Sequence, residues 1–334
     1  MTRKNSQSTN SPFLLKPAEK DYLWGGERLK NEFCKVTRTT PLAETWECST
    51  HPDGVSTVAS GVFLGESLQD VLKLHPEILG SHVHSDEGIP IIVKFIDAKE
   101  DLSIQVHPDD EYAYENENGQ KGKSELWYVV DAQKGAKIIY GLHHTQTKDK
   151  IRQSLYEGNF DKYTQKINVQ KNDVYYIAPG TIHAIGAGVL VAEIQQKSNL
   201  TYRMYDYNRK DKTGHQRELH IEKALDVANL NASPEPLQPM RVLKYRLGCA
   251  DELLCRCKYF QVERMIINTE RIKEMVDYFT DSLSFHILLC VQGCGMIMWD
   301  DGSLPFFKGD CVFIPANSAK LKIHGKAQFL NISC

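Results

Sequence analysis

The chain has 334 residues, enough for one large domain or two ordinary ones, and its 41% hydrophobic and 25% charged residues are those of a globular protein. A net charge of −3 gives no electrostatic case for nucleic acid or an anionic membrane as partner. No apolar run approaches the ~18–20 residues that span a bilayer.

The start, MTRKNSQSTN, lacks an apolar stretch after its basic residues and is not a secretory signal; residues 1–11 read as disordered. From Phe13 to Cys48 the text is irregular. It carries YLWGG (22–26) and AETWECSTHPDG (43–54), in which Trp24, Glu44 and Trp46 are expected either to wall a pocket or simply to pack. SLQDVLKLHPEILG (67–80) predicts a helix with Ser67 as N-cap and Gly80 just past its end. Short strands follow at 89–98, 102–108, 125–132 and 136–142, then a helix at 147–158. Strands resume at 166–170, 173–178, 183–195 and 201–207, with a further helix at 217–230. NASPEPLQPM (231–240) reads as a linker, and 241–334 is again strand and turn. Many short strands with Gly, Asn and Asp turns predict a mainly β protein of two jelly-roll lobes, barrel or sandwich, at 12–230 and 241–334, with a small helical insert.

A weak repeat supports two copies of one β-fold. KNDVYYIAPGTIHAI (171–185) resembles KGDCVFIPANSAKLKI (308–323), which sets Lys320 opposite His183. ELWYVVDAQKGAKI (125–138) resembles SFHILLCVQGCGMI (284–297), which sets Ser284 or Phe285 opposite Glu125. His286 and His324 in the second copy read as packed or solvated side chains.

Three strand segments of the first copy offer groups that a divalent metal accepts. SIQVHPDD supplies Gln105 and His107, which project from one face because residues two apart in a strand do so. KSELWYVV supplies Glu125, and the GTIHA turn supplies His183. An amide, two imidazoles and a carboxylate, with a position left for water or substrate, describe a catalytic zinc-type site. A structural zinc site would more naturally recruit cysteine. The nine cysteines lie apart from these residues and read as reduced cytoplasmic thiols; the spacing of Cys255 and Cys257 suits neither a zinc knuckle nor a redox motif.

SIQVHPDD, KSEL, GTIHA and the run VAEIQQKSNLTYR, in this order, together resemble the type I mannose-6-phosphate isomerases, zinc enzymes of the cupin superfamily, and more closely their short bacterial branch. The likeness covers most of residues 13–230. It implies a reversible interconversion of mannose 6-phosphate and fructose 6-phosphate with one Zn2+ per chain, held by Gln105, His107, Glu125 and His183. It further implies that Arg203 is the catalytic arginine and that Lys123 and Glu193 lie in the pocket. Ser103 and Lys94 would line the phosphate end, and Arg209 stands where larger members carry a lysine. Those members follow their arginine with alanine and glycine, whereas Arg203 leads into MYDYNR here.

Moving hydrogen between C1 and C2 of an open-chain sugar needs a base, a holder for the enediolate charge and a phosphate anchor. Arg203 suits the second role as a planar fork, and Lys123 or Glu193 the first. A cupin dioxygenase, or a cupin sugar-binding protein without activity, is the alternative. The cations Lys94, Arg203 and Arg209 among the ligands favour a phosphorylated sugar, and the chain is expected to be a monomer or homodimer.

Overall fold

A computed structural model describes residues 8–33, 35–83, 88–210 and 213–334. Residues 1–7 of the segment expected to be disordered lie outside that description; Ser8–Ser11 close a turn, Ser11 N donating to Ser8 O at 3.0 Å.

Three antiparallel sheets stack as layers. The middle one has six strands in the order 174–177, 125–132, 189–196, 91–97, 44–48, 18–20. Its strands read as near-continuous apolar text because both faces are covered. Along Glu125–Ala132, Trp127 and Val129 enter one core, while Leu126, Tyr128 and Val130 enter another. The first core lies against a five-stranded sheet, ordered 164–168, 137–142, 183–185, 104–106, 202–205. The second lies against a ten-stranded sheet built mostly from residues 244–333. The sheets are open, so the architecture is a sandwich and not a closed barrel.

The irregular text at the start hides three strands, one of them the 18–20 edge of the middle sheet. Glu44–Cys48 is buried at every residue in the middle sheet, so it shows no alternation. Phe13–Lys16 crosses to the other lobe and pairs with the 311–314 strand, Phe13 opposite Phe313. The second sheet is therefore not built from residues 241–334 alone. Phe313 stacks on Phe13 at 5.0 Å and on Phe285 at 5.2 Å. Phe313→Ala should lower stability by about 3–5 kcal/mol, the cost of truncating a buried aromatic, read as a shift in the urea midpoint. An unchanged midpoint would show that this strand is not structural.

The helix expected over 67–80 is interrupted. Ser67 caps Leu68–Leu74 by accepting from Asp70 N, but Pro76 drives His75 out of helical geometry and a short 3-10 turn, Pro76–Leu79, follows. The helix at 217–230 shrinks to Ile221–Val227, and strand 183–195 divides at Gly186–Gly188 into His183–Ile185 and Val189–Gln196. Arg28–Glu32 and Asp110–Asn116 are helices without a sequence signal of periodicity, each with a single buried residue.

The repeat holds with one correction of register. Glu125 pairs with Ile177, and His286 pairs with Ile314, so His286 rather than Ser284 or Phe285 takes the place of Glu125. It is a packed side chain, its Nδ1 at 2.5 Å from Tyr278 Oη; His324 is held by Thr269.

Candidate active site

Two cross-strand rows face each other between the five- and six-stranded sheets. In the middle sheet Trp46, Lys94, Glu193 and Trp127 stand side by side on four adjacent strands. In the five-stranded sheet Tyr140, His183, Gln105 and Arg203 do the same. Glu125 opens its strand one row on, opposite Gln195, with Lys123 just before it. Register, not sequence proximity, assembles the site.

His107, Glu125 and His183 are buried with their ligating atoms within 4.8 Å of one another. His183 Nε2 lies 3.1 Å from His107 Nε2 and 3.2 Å from Glu125 Oε1; His107 Nε2 lies 3.5 Å from Glu125 Oε2. His183 Nδ1 is 2.7 Å from the Thr181 carbonyl, which only accepts, so Nδ1 holds the proton and Nε2 presents its lone pair to the centre. Gln105 Nε2 reaches within 3.4 Å of His183 Nε2, and rotation of the amide presents Oε1 there instead. Both Glu125 oxygens are buried without a hydrogen bond, although Lys123 Nζ stands 3.1 Å from Oε2.

Electrostatics prepare these groups for a cation. Burial, with help from the Lys123 charge, holds His107 down to about 3, and burial lowers His183 too, so both imidazoles are neutral near pH 7. Burial alone would raise Glu125, but the Lys123 ammonium beside it outweighs burial and holds the carboxyl well below its usual range, so it is ionised. Two neutral imidazoles, an ionised carboxylate and an amide oxygen fit a zinc ion.

Beside this cluster lies a cavity of about 240 Å3. Trp24, Glu44, Lys94, Ser103, Gln105, Lys123, Glu193 and Arg203 all line it. Lys94 Nζ sits 3.1 Å from Glu193 Oε1 and 3.8 Å from Glu44 Oε2, over the Trp46 ring at 4.8 Å. Trp127 and Trp46 donate to the same two carboxylates, each at 2.8 Å. Burial raises Glu193, with the Glu125 charge adding to it. Arg203 donates to the Glu218 carbonyl at 2.9 Å, while its Nε is buried without a partner.

Arg209 departs from expectation. It does not line the cavity, because its guanidinium is tied to Asp206 and the Asp101 carbonyl and rests on Tyr207 at 5.3 Å. Arg217 lines the cavity instead, its fork closed on both oxygens of Asp206. Tyr22, Asn199 and Thr201 also line it unforeseen. All three lie outside the strands, so no period in the sequence marked them. Arg217 carried no signal either. Four cations against two carboxylates make the lining suited to an anion.

Residues 13–139 match the family model "Phosphomannose isomerase type I, catalytic domain", and residues 252–333 match "Mannose-6-phosphate isomerase, cupin domain". The mannose-6-phosphate isomerase ManA of Bacillus subtilis is 35% identical over 324 residues, covering 96% of this chain and 98% of that protein. The crystal structure of the mannose 6-phosphate isomerase from Bacillus subtilis has a TM-score of 0.88 at 35% identity, covering 97% of this chain and 99% of the other. A mannose 6-phosphate isomerase solved with zinc and yttrium shares the fold at a TM-score of 0.73 and 16% identity, with 96% and 99% covered.

Proposed function

The chain belongs to the type I phosphomannose isomerases, a family of enzymes, and from that membership we propose that it interconverts mannose 6-phosphate and fructose 6-phosphate through an enediolate with one zinc per chain. The observation that carries this reading is the pairing of a buried, uncommitted His107–Glu125–His183 cluster with a cationic cavity on the same inner face.

Gln105, His107, Glu125 and His183 hold the metal, which when bound polarises the sugar oxygens at C1 and C2. Arg203 offers donors from a fixed plane to the developing enediolate charge. Lys123 and Glu193 both line the cavity and are the two candidates for moving the proton from C2 to C1. Glu193 is less free for that task, since Lys94 and Trp127 engage one oxygen each. Lys94, Ser103 and Arg217 form the phosphate end, Arg217 in place of Arg209. Trp24, Tyr22 and Glu44 close the wall around the sugar. The family assignment sets aside the dioxygenase and the inactive sugar-binding protein. No described helix is long and apolar enough to cross a membrane.

The purified, zinc-loaded protein should form fructose 6-phosphate from mannose 6-phosphate in a coupled assay and should neglect unphosphorylated mannose. No product from the phosphorylated sugar would overturn the reading. Metal analysis should find one zinc per chain. The sequence repeat sets Lys320 opposite His183, the strand register sets His286 opposite Glu125, and a lysine repels a cation near neutral pH, so a second equivalent of zinc in the C-terminal lobe would contradict the assignment.

A further inference from the structure

The stretch 121–124 carries Lys123 and leads into Glu125, yet it belongs to no strand. It is held instead by bonds to two other segments, 108–110 and 196–198. Lys123 N donates to Pro108 O at 3.0 Å, and Ser198 Oγ donates to Lys121 O at 2.8 Å. Ser124 and Gln196 bond twice: Ser124 N donates to Gln196 Oε1 at 2.8 Å, and Gln196 N to Ser124 O at 3.1 Å. Gly122 passes so close to the 109–110 peptide that a Cβ there would meet Asp109 C at 2.2 Å and Asp110 N at 2.5 Å, so only glycine fits.

Asp110 is where these bonds meet. Its Oδ1 accepts from Gly122 N and from Gln196 Nε2, each at 3.0 Å. Its Oδ2 accepts from Tyr259 Oη at 2.7 Å, with Lys258 Nζ at 3.7 Å. Tyr259 comes from the other lobe, at the tip of the hairpin between strands Cys249–Arg256 and Gln261–Asn268. Cys257 N closes that tip by donating to Phe260 O at 3.0 Å, and Phe260 is buried in the core between the ten- and six-stranded sheets. The buried ring fixes where the neighbouring Tyr259 hydroxyl stands. Lys258 is solvent-exposed, so its ion pair adds little to the contact.

We propose that Tyr259 and Asp110 are positioning residues, through which the C-terminal lobe sets the backbone of 122–124 and with it the places of both Lys123 and Glu125. The inference rests on the isomerase reading for its kinetic consequence. Both Glu125 oxygens are buried without a hydrogen bond, so the backbone decides where this carboxylate stands. Lys123 Nζ lies 3.1 Å from Glu125 Oε2, and a shift of 122–124 moves the two groups together. Reacting groups and metal ligands need to be held to within about 0.5 Å of their working geometry, which a stretch outside any strand achieves only through bonds of this kind. Lys94, Ser103 and Arg217 stand on other segments, so the clamp acts on the reacting end of the cavity and not on the phosphate end. No residue of 241–334 lines the cavity, and the clamp gives that lobe its influence on the chemistry.

The test compares the unaltered full-length protein with Tyr259→Phe, Asp110→Ala and Asp110→Asn. It measures kcat and KM for mannose 6-phosphate, zinc affinity against a competing chelator, and folding by circular dichroism. Tyr259→Phe deletes one hydroxyl and should lower kcat roughly three- to tenfold, the scale of one net hydrogen bond, and weaken zinc binding by a similar factor. KM should not change, and the variant should be fully folded. Asp110→Ala should cost roughly tenfold or more in kcat, as outer partners of a metal site do. Asp110→Asn should recover most of that loss, because its amide oxygen still accepts from Gly122 N and Gln196 Nε2. Should Asp110→Ala fold poorly, Tyr259→Phe carries the test alone. Unaltered kcat or unaltered zinc affinity in Tyr259→Phe, a KM that rises at constant kcat, or a loss that merely follows the fraction folded would each overturn the proposal. So would an Asp110→Asn protein as impaired as a folded Asp110→Ala. If the unaltered protein forms no fructose 6-phosphate, the isomerase reading fails, while the zinc affinity of Tyr259→Phe still decides the clamp.

Discussion

His183→Ala is expected to lose zinc and isomerase activity together. His183 touches every other member of the cluster, with Nε2 within 3.4 Å of Gln105, His107 and Glu125 atoms. Its Nδ1 bond to Thr181 fixes the ring so that Nε2 faces the centre. Outer partners of metal ligands typically matter by 10–100-fold, so removing a ligand itself should cost more than roughly 100-fold in activity. The alanine also leaves the ionised Glu125 short of an electrostatic partner, so folding is to be checked by circular dichroism alongside metal analysis. A folded, metal-free His183→Ala protein with ordinary activity would remove the metal from the mechanism.

Arg203→Ala should act on turnover and leave zinc content intact. A guanidinium holds a developing enediolate more strongly than a neutral carbonyl, so the interaction belongs mainly to the transition state. The expected loss in kcat is roughly 10²-fold or more, the scale for one oxyanion donor. Arg203 has the geometry for this role: its strand is pinned by His220, which bonds the Arg203 backbone on both sides, and its buried Nε has no partner within the protein. Arg203→Lys should rescue little, because a flexible point charge does not reproduce a planar fork. If Arg203→Ala instead raised KM with kcat unchanged, the residue would be a phosphate anchor, and charge stabilisation would pass to Lys123 or to the metal.

The strands that carry the site were legible because their apolar runs are bounded by clear turns, and because Gln105 and His107 sit two apart. Ser67 and Thr147 likewise announced helices as N-caps. What escaped was non-local or lacked a period. Phe13–Lys16 pairs with Cys311–Ile314, about 300 residues away, a pairing no local pattern encodes. Asp110–Asn116 buries only Ala113, so it shows no apolar stripe despite its Asp109 cap. Within the site, Arg209 and Arg217 were indistinguishable by residue type. Asp206 holds both, and only the path of the loop beyond Tyr205 decides which one faces the cavity.

The most direct measurement removes zinc with a chelator, follows fructose 6-phosphate formation in the coupled assay, and then returns the metal by titration. The account predicts that activity and bound metal fall in step and that activity recovers fully at one equivalent of zinc per chain. Full activity in the metal-free protein, or a zinc-loaded protein that forms no fructose 6-phosphate, would contradict it.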